Sequence, residues 1–262
     1  MLCSEITAMI ENTYPKEAAL GFDNVGLLAG RDEKEVKRIL LALDATEEVI
    51  DKAVKEKADL LITHHPLIFS AMKSVTNQDF IGRRVLKLIQ SDISYYAMHT
   101  NYDVLGMADL AAQIFELEEP EVLDVTWERD GKPEGIGRIG RLPQTMTLDE
   151  CCCYVKERLH LQQVKVFGNP DKTIRCMAVS PGSGKSEVAP AVLKGADVLV
   201  TGDIGHHEGL DALEQKLAII DAGHYGTEYI FIQDMKRFLE RKLEGKEIEI
   251  LTEESGVPFR IA

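Results

Sequence analysis

No stretch of this 262-residue chain approaches the ~20 consecutive apolar residues that a bilayer-spanning helix needs. Its opening residues, MLCSEITAM, lack a basic segment followed by a long apolar run, so no secretion signal is read there. Cysteine is sparse and awkwardly placed. Cys3, Cys151, Cys152, Cys153 and Cys176 are odd in number, three are consecutive, and no CxxC pair occurs. That excludes a disulfide framework and points to a reducing, cytoplasmic compartment. Neighbouring side chains on a helix point apart, so Cys151 to Cys153 read as buried or half-buried thiols. Positive charge is in deficit: 30 Lys plus Arg against 44 Asp plus Glu give a formal net charge of -14. Such a balance argues against nucleic acid and against an anionic membrane as partners. The usual nucleophile and nucleotide signatures are also missing. GxSxG is absent, and in Pro181-Gly182-Ser183-Gly184-Lys185-Ser186 the first glycine of a GxxxxGK[ST] phosphate loop would fall at Val179. That segment reads as a flexible strand-to-helix turn.

The pattern that is present is alternation of buried strands with amphipathic helices. Ile6, Met9 and Ile10 mark a short helix that ends before Pro15. Val36 to Leu43 is a strand, Thr46 opens a helix to about Lys57, and Asp59 to Thr63 is the next strand. The order predicts a βαβ unit and a largely parallel sheet. A helix over Asp79 to Ile89 and a strand over Ile93 to Met98 continue it, with Met107 to Phe115 helical. Glu116 to Pro133 is charged and punctuated, and reads as a boundary between lobes. Beyond it come strands at Gly135 to Leu142, Val164 to Phe167, Thr173 to Val179, Ala196 to Thr201 and Ala218 to Ile220. Helices are expected from Thr147 to Leu159, Ala212 to Leu217 and Tyr229 to Leu243, then a last strand at Ile248 to Leu251. Pro258-Phe259 is expected to tuck against the body. The expected fold is α/β with two mixed lobes. Residues 1–122 form the first, with 222–262 packing back on it, and residues 123–221 form the second.

Histidine is rare, and its distribution is the informative feature. Six of the seven lie just after apolar strands: His64 and His65, His99, His206 and His207, and His224. Carboxylates and amides accompany them: Asn101 and Asp103, Asp203, and Glu228. His224 and Glu228 are four apart, so on one helical turn they face the same side. His160 stands outside the pattern and reads as surface. Imidazole mixed with carboxylate suits Zn, Fe, Mn, Co or Ni better than Ca or Mg. The carboxyl edge of a parallel sheet is also where α/β sites form. Residue types alone support a metal site and leave the number of ions open. Asp23-Asn24, between glycines, reads either as a plain turn or as a loop lining the site.

GFDNVGL, THHP after a buried strand, HTNYD, GDIGHH and HYGTE occur in one order along nearly the whole chain. Together they resemble the dinuclear metal centre hexameric protein family, NGG-interacting-factor-like proteins known as GTP cyclohydrolase I type 2. The resemblance implies two divalent ions per subunit in the cleft between the lobes, their ligands His64, His65, Asp103, His224 and Glu228. His99, Asn101, Asp23 and Asn24 would orient those ligands, and Asp203, His206 and His207 would handle protons. It further implies a toroidal homohexamer. The activity implied is metal-dependent hydrolysis of a nucleotide or another small molecule. A phosphoesterase on another nucleotide-like substrate, or a non-enzymatic metal-delivery ring, are the alternatives. Where the family motif carries Trp, this chain has Phe22.

Overall fold

The computed structural model describes residues 1–254 and 256–260. Along the chain the elements are α1 (Cys3–Thr13), β1 (Gly26–Ala29), β2 (Arg38–Ala42), α2 (Glu47–Lys55), β3 (Leu60–Thr63), α3 (Phe80–Gln90) and β4 (Ser94–Ala97). One turn, α4 (Thr100–Tyr102), leads into a wider π-type turn over Asp103–Met107 and then α5 (Ala108–Ile114). There follow β5 (Glu118–Arg129), β6 (Lys132–Thr147), α6 (Leu148–Arg158), β7 (Lys165–Phe167) and β8 (Thr173–Ser183). The chain continues with α7 (Val188–Leu193), β9 (Val198–Gly202), α8 (His206–Glu214), β10 (Ala218–Asp221), α9 (His224–Glu228), α10 (Ile230–Lys242) and β11 (Glu249–Glu253). Among the described residues no helix is long and apolar enough to cross a membrane.

Two sheet-centred units result. The first comprises Met1–Tyr102 and the segment from Tyr229 onward; the second is Asp103–Glu228. The α/β class with two lobes is therefore what the structure has. In the first unit the sheet order is β1-β4-β3-β2-β11. Strands β2, β3, β4 and β11 run parallel and β1 is an antiparallel edge. Every residue of β3 is buried, as expected of a parallel strand covered on both faces. Leu40, Leu61 and Tyr95 share one face and pack with Val49, Ile50 and Ala53 of α2 and with Val85 and Leu88 of α3. Thr46 caps α2 by accepting from the Val49 amide at 3.3 Å, and Asp79 caps α3 by accepting from Gly82 at 2.8 Å. The buried Tyr95 hydroxyl lies 2.7 Å from Thr63 Oγ1, accepts from the Leu67 amide at 2.8 Å and donates to the His65 carbonyl at 3.0 Å. It thereby ties down the exit of β3. Burial pushes this phenol up to about 12, so it stays a neutral donor.

The second unit has the order β5-β6-β8-β9-β10-β7, with β8, β9 and β10 parallel and the outer strands antiparallel. Its core joins Ala178, Leu199 and Ile219 from those parallel strands to Ala191 of α7 and Ala212 of α8. Thr147 and Glu150 form a capping box at the start of α6, where Cys151 and Cys152 are buried and Cys153 is exposed.

Several expectations need correction. Glu116 to Pro133, read as a boundary between lobes, lies inside the second unit: most of it is β5, paired with β6 along its length. Its charged residues lie on a solvated face, and the cross-strand ladder supplies the order that apolar content does not. Pro181 to Ser183 belong to the end of β8 instead of a flexible turn. The helix expected from Ala212 begins at His206, so the second histidine pair opens a helix. Phe259 does not tuck in; it is 61% exposed.

Glu187, just before α7, is only 4% exposed, and among the described residues its Oε2 has no hydrogen-bond partner. Burial pushes its carboxyl up to about 7; a hydrogen bond with Ser186 opposes this, and the charge of Asp124 adds to it. Above its ordinary range the folded state must therefore carry a poorly solvated charge. Stability falls as pH rises toward 7 and stays reduced beyond. Glu187→Gln is expected to be more stable than the parent at pH 8 by about 1–3 kcal/mol and equal to it near pH 4, measured by urea unfolding at both pH values.

Candidate metal centre

In the first unit the strand ends deliver the site. β2 ends before Asp44, β3 runs into His64 and His65, and β4 runs into His99. β1 is antiparallel, so Asp23, which precedes it, arrives at the same sheet edge. The rings of His64 and His65 are 4.9 Å apart, those of His64 and His99 5.2 Å, and those of His65 and His99 5.5 Å. Each ring has its Nδ1 engaged. His64 Nδ1 donates to the Met98 carbonyl at 2.9 Å, His65 Nδ1 to Asp44 at 2.7 Å, and His99 Nδ1 to Asp23 at 2.9 Å. A donating Nδ1 leaves Nε2 of a neutral imidazole as the lone-pair nitrogen, which is how metal-binding histidines are oriented. His64 is fully buried and is walled by Phe231 and Tyr102, at 5.2 and 6.2 Å between ring centroids.

Asp23 is the hub of the first loop. It also accepts from the Thr100 amide at 2.9 Å, from the Thr100 hydroxyl and from the Asn24 amide. Burial alone would push its carboxyl up. The hydrogen bonds from His99 and Thr100 outweigh burial and hold it down at about 2. Asn24 donates its side-chain amide to the Ile68 carbonyl, joining this loop to the one after His65. Asn101 is buried and structural in its contacts: its Oδ1 accepts from the His99 amide at 3.0 Å and its Nδ2 donates to the Tyr14 carbonyl at 2.9 Å.

The second unit repeats the device. β8, β9 and β10 end side by side, at Ser183, Gly202 and Asp221. Asp221 is buried and accepts from the Ile204 and Gly223 amides, each at 3.0 Å, while Lys165 pairs with it at 2.7 Å. Those bonds set the loops that carry Asp203 and His224. His224 Nδ1 donates to Asp203 at 2.7 Å, and its Nε2 lies 3.0 Å from the Glu228 carboxylate. Burial would push this imidazole down. The hydrogen bond and charge of Glu228, then those of Asp203, outweigh burial and hold it up at about 9. Imidazole Nε2 and buried carboxylate thus face each other, as two donors to one cation would. Gly182, with φ +76°, lies directly beneath them: an added Cβ would collide with Glu228 Oε1 and stand 3.7 Å from His224 Nε2. Its amide donates to Thr227 Oγ1 at 2.9 Å. Gly202 is as tight, since a Cβ there would stand 2.6 Å from the His224 amide nitrogen.

Asp103, half-buried, opens the π-type turn and is the first residue of the second unit. Such turns recur at functional sites. Asp203 and the adjacent rings of His206 and His207, 5.3 Å apart, are exposed, the histidines on the first turn of α8. Sequence reading missed Asp44, which holds His65, and Gly182. Asp44 had a readable signal, an acid at the end of the strand beside the histidine pair. Gly182 had none, because its role depends on the packing of β8 against α9.

The donor set fits a divalent ion. The coordinating atoms of His64, His65 and His99 all lie within 4.8 Å of one another. Ion–nitrogen bonds of about 2.0–2.1 Å hold two ligands no more than about 4.2 Å apart, so adjustments of less than about 1 Å suffice. His99, expected only to orient ligands, therefore also lies within reach as one. The arrangement defines an α/β protein with clusters of metal-ligand side chains at the carboxyl ends of its parallel strands. The chain belongs to the Duf34/NIF3 (NGG1p interacting factor 3) family, whose model matches residues 1–256. It is 35% identical over 261 residues to the GTP cyclohydrolase 1 type 2 homolog of Clostridium acetobutylicum, covering 98% of this chain and 97% of that one. Among solved structures it resembles a Bacillus cereus protein related to NIF3, with TM-score 0.91, 27% identity, and 100% and 99% of the two chains covered. It also resembles reduced HcgD from Methanocaldococcus jannaschii, with TM-score 0.82, 33% identity, and 96% and 97% covered.

Two outcomes follow. Asp44→Asn, which removes the carboxylate that orients His65, is expected to weaken Zn or Mn binding about 10- to 100-fold by calorimetry, with an unchanged circular dichroism spectrum. Gly182→Ala is expected to displace the Glu228 carboxylate and to weaken binding at least as much, checked in the same titration.

Proposed function

We propose that this protein holds two divalent metal ions per subunit and uses them as a hydrolase on a nucleotide-like substrate. His64, His65, Asp103, His224 and Glu228 are the ligands in this reading. The observation that carries it is the pinned Nδ1 of His64, His65, His99 and His224, which leaves Nε2 of each as the nitrogen available to a ligand. Bound ions would supply Lewis-acid polarisation of the substrate and a nucleophile available at neutral pH.

The chain's own groups divide the remaining work. Asp44 and Asp203 hold His65 and His224 in one tautomer and orientation. Asp23 does the same for His99, and Asn101 fixes the backbone that carries that ring. His206 and His207, exposed at the start of α8, deliver a proton to the leaving group in this reading. The names of the curated relatives point to a GTP-like substrate. The toroidal homohexamer implied by the sequence resemblance, in the cytoplasm, belongs to the same proposal, and light scattering on purified protein checks the subunit number.

Anaerobic purification, elemental analysis and a nucleotide panel with Mn, Fe, Zn or Co test the reading. The parent is expected to carry about two ions per chain and to turn over a member of the panel. Glu228→Ala is expected to lose at least half the metal, and Asp103→Ala to lose turnover by two orders of magnitude or more. Full metal content in Glu228→Ala would overturn the ligand assignment. Stoichiometric metal in the parent without turnover, but with transfer to an apo-protein, would replace hydrolysis by metal delivery.

A further inference from the structure

Two large aromatic side chains stand in solvent beside the histidine cluster of the first unit. Phe22 is 62% exposed and Phe69 is 49% exposed. Their ring centroids are 6.2 Å apart with planes tilted by 47°, and the Phe69 ring lies 6.5 Å from His99. Exposed apolar rings that touch each other are costly in water and mark surfaces that become covered. These two are also held in place. Phe22 precedes Asp23, which is bound to His99 and Thr100, and Phe69 follows Ile68, whose carbonyl accepts from the Asn24 amide. Neither loop has to be ordered further when a ligand arrives, which lowers the cost of binding.

We propose that Phe22 and Phe69 form the platform on which the substrate of the metal site stacks a planar nitrogen heterocycle of the purine type. This rests on the preceding functional reading and names the chemistry its substrate must carry. Aromatic faces favour a flat ligand. A flat ring laid on the outer face of either phenyl gains the offset or edge-to-face contact that aromatic groups prefer. A flexible aliphatic chain gains no such contact. Asn24 adds a polar selection. Its Nδ2 is bound to the Ile68 carbonyl, and its Oδ1 is the acceptor that such an amide can still offer to a ring N–H. The neighbouring His99 places that ring at the border of the candidate ligand cluster. Phe22 is therefore a specificity-determining residue, and Phe69 is its partner.

The test uses the full-length protein as purified with its metal and three probes: GTP, guanosine and inorganic tripolyphosphate. Binding is measured by calorimetry for the parent, Phe22→Ala, Phe69→Ala and Phe22→Tyr. Subunit number is followed by light scattering and metal content by elemental analysis. Stacking on one aromatic side chain is typically lost as a factor of about ten or more on removal. Phe22→Ala and Phe69→Ala are expected to weaken GTP and guanosine by about that factor and to leave tripolyphosphate unchanged. Phe22→Tyr is expected to bind as the parent does. The proposal is overturned if guanosine fails to bind, or if both alanine variants bind GTP as the parent does. It is also overturned if the alanine changes alter only the subunit number, which would make the pair an interface between copies. Metal content separates the two readings. Normal metal with no dependence on the ring sinks the platform alone. Absent metal in the parent sinks the metal reading, while ring-dependent guanosine binding would still uphold the platform.

Discussion

A hydrogen bond from Nδ1 of a strand-end histidine to a fixed acceptor is the interaction on which the site depends. It does two things at once. It selects the tautomer, and it removes the rotational freedom that a terminal imidazole would otherwise keep. The acceptor differs each time: a main-chain carbonyl for His64, Asp44 for His65, Asp23 for His99 and Asp203 for His224. Asp23 and the loop that carries Asp203 are held in turn by the fold. The Asp23 carboxylate is saturated by Thr100 and Asn24, and the loop bearing Asp203 is anchored through Asp221.

That support is inexpensive in sequence because a parallel sheet supplies it. Neighbouring parallel strands end at the same edge, so residues far apart in the chain are brought together without long loops. In the first unit the edge gathers Asp44, His64, His65, His99 and Asp23; in the second it gathers Gly182, Asp203 and His224. The glycines at the second edge are used for space. Gly182 and Gly202 admit a buried carboxylate and the start of a helix where any side chain would block them. The exposed pair Phe22 and Phe69 shows the complementary choice, a bulky group kept in water beside a polar cluster.

Much of this was legible in the sequence, and what escaped did so for physical reasons. An apolar run ending in adjacent histidines announces a buried strand and its carboxyl end, which is how β3 and its exit were found. The i,i+4 spacing of His224 and Glu228 anticipated that they would meet on one helical turn, and they do. β5 was missed because its register with β6 is a long-range property, absent from its mostly charged composition. The role of Asp44 needed the parallel pairing of β2 with β3, and Gly182 needed the approach of α9 to β8. Phe69 lies in a stretch with no periodicity, where only coordinates reveal a neighbour.

The order of synthesis sets a hazard for the first sheet. Its outermost strand, β11, lies beside β2, and the ion pair between Arg38 and Glu249 spans 211 residues of chain. All of the second unit emerges from the ribosome in the meantime, on the order of ten seconds at ordinary rates. Throughout that interval β2 is an open edge, and four of its five residues are apolar side chains that the finished fold buries. Such an edge invites pairing with another nascent chain. A truncation that removes the final strand would make that transient state permanent.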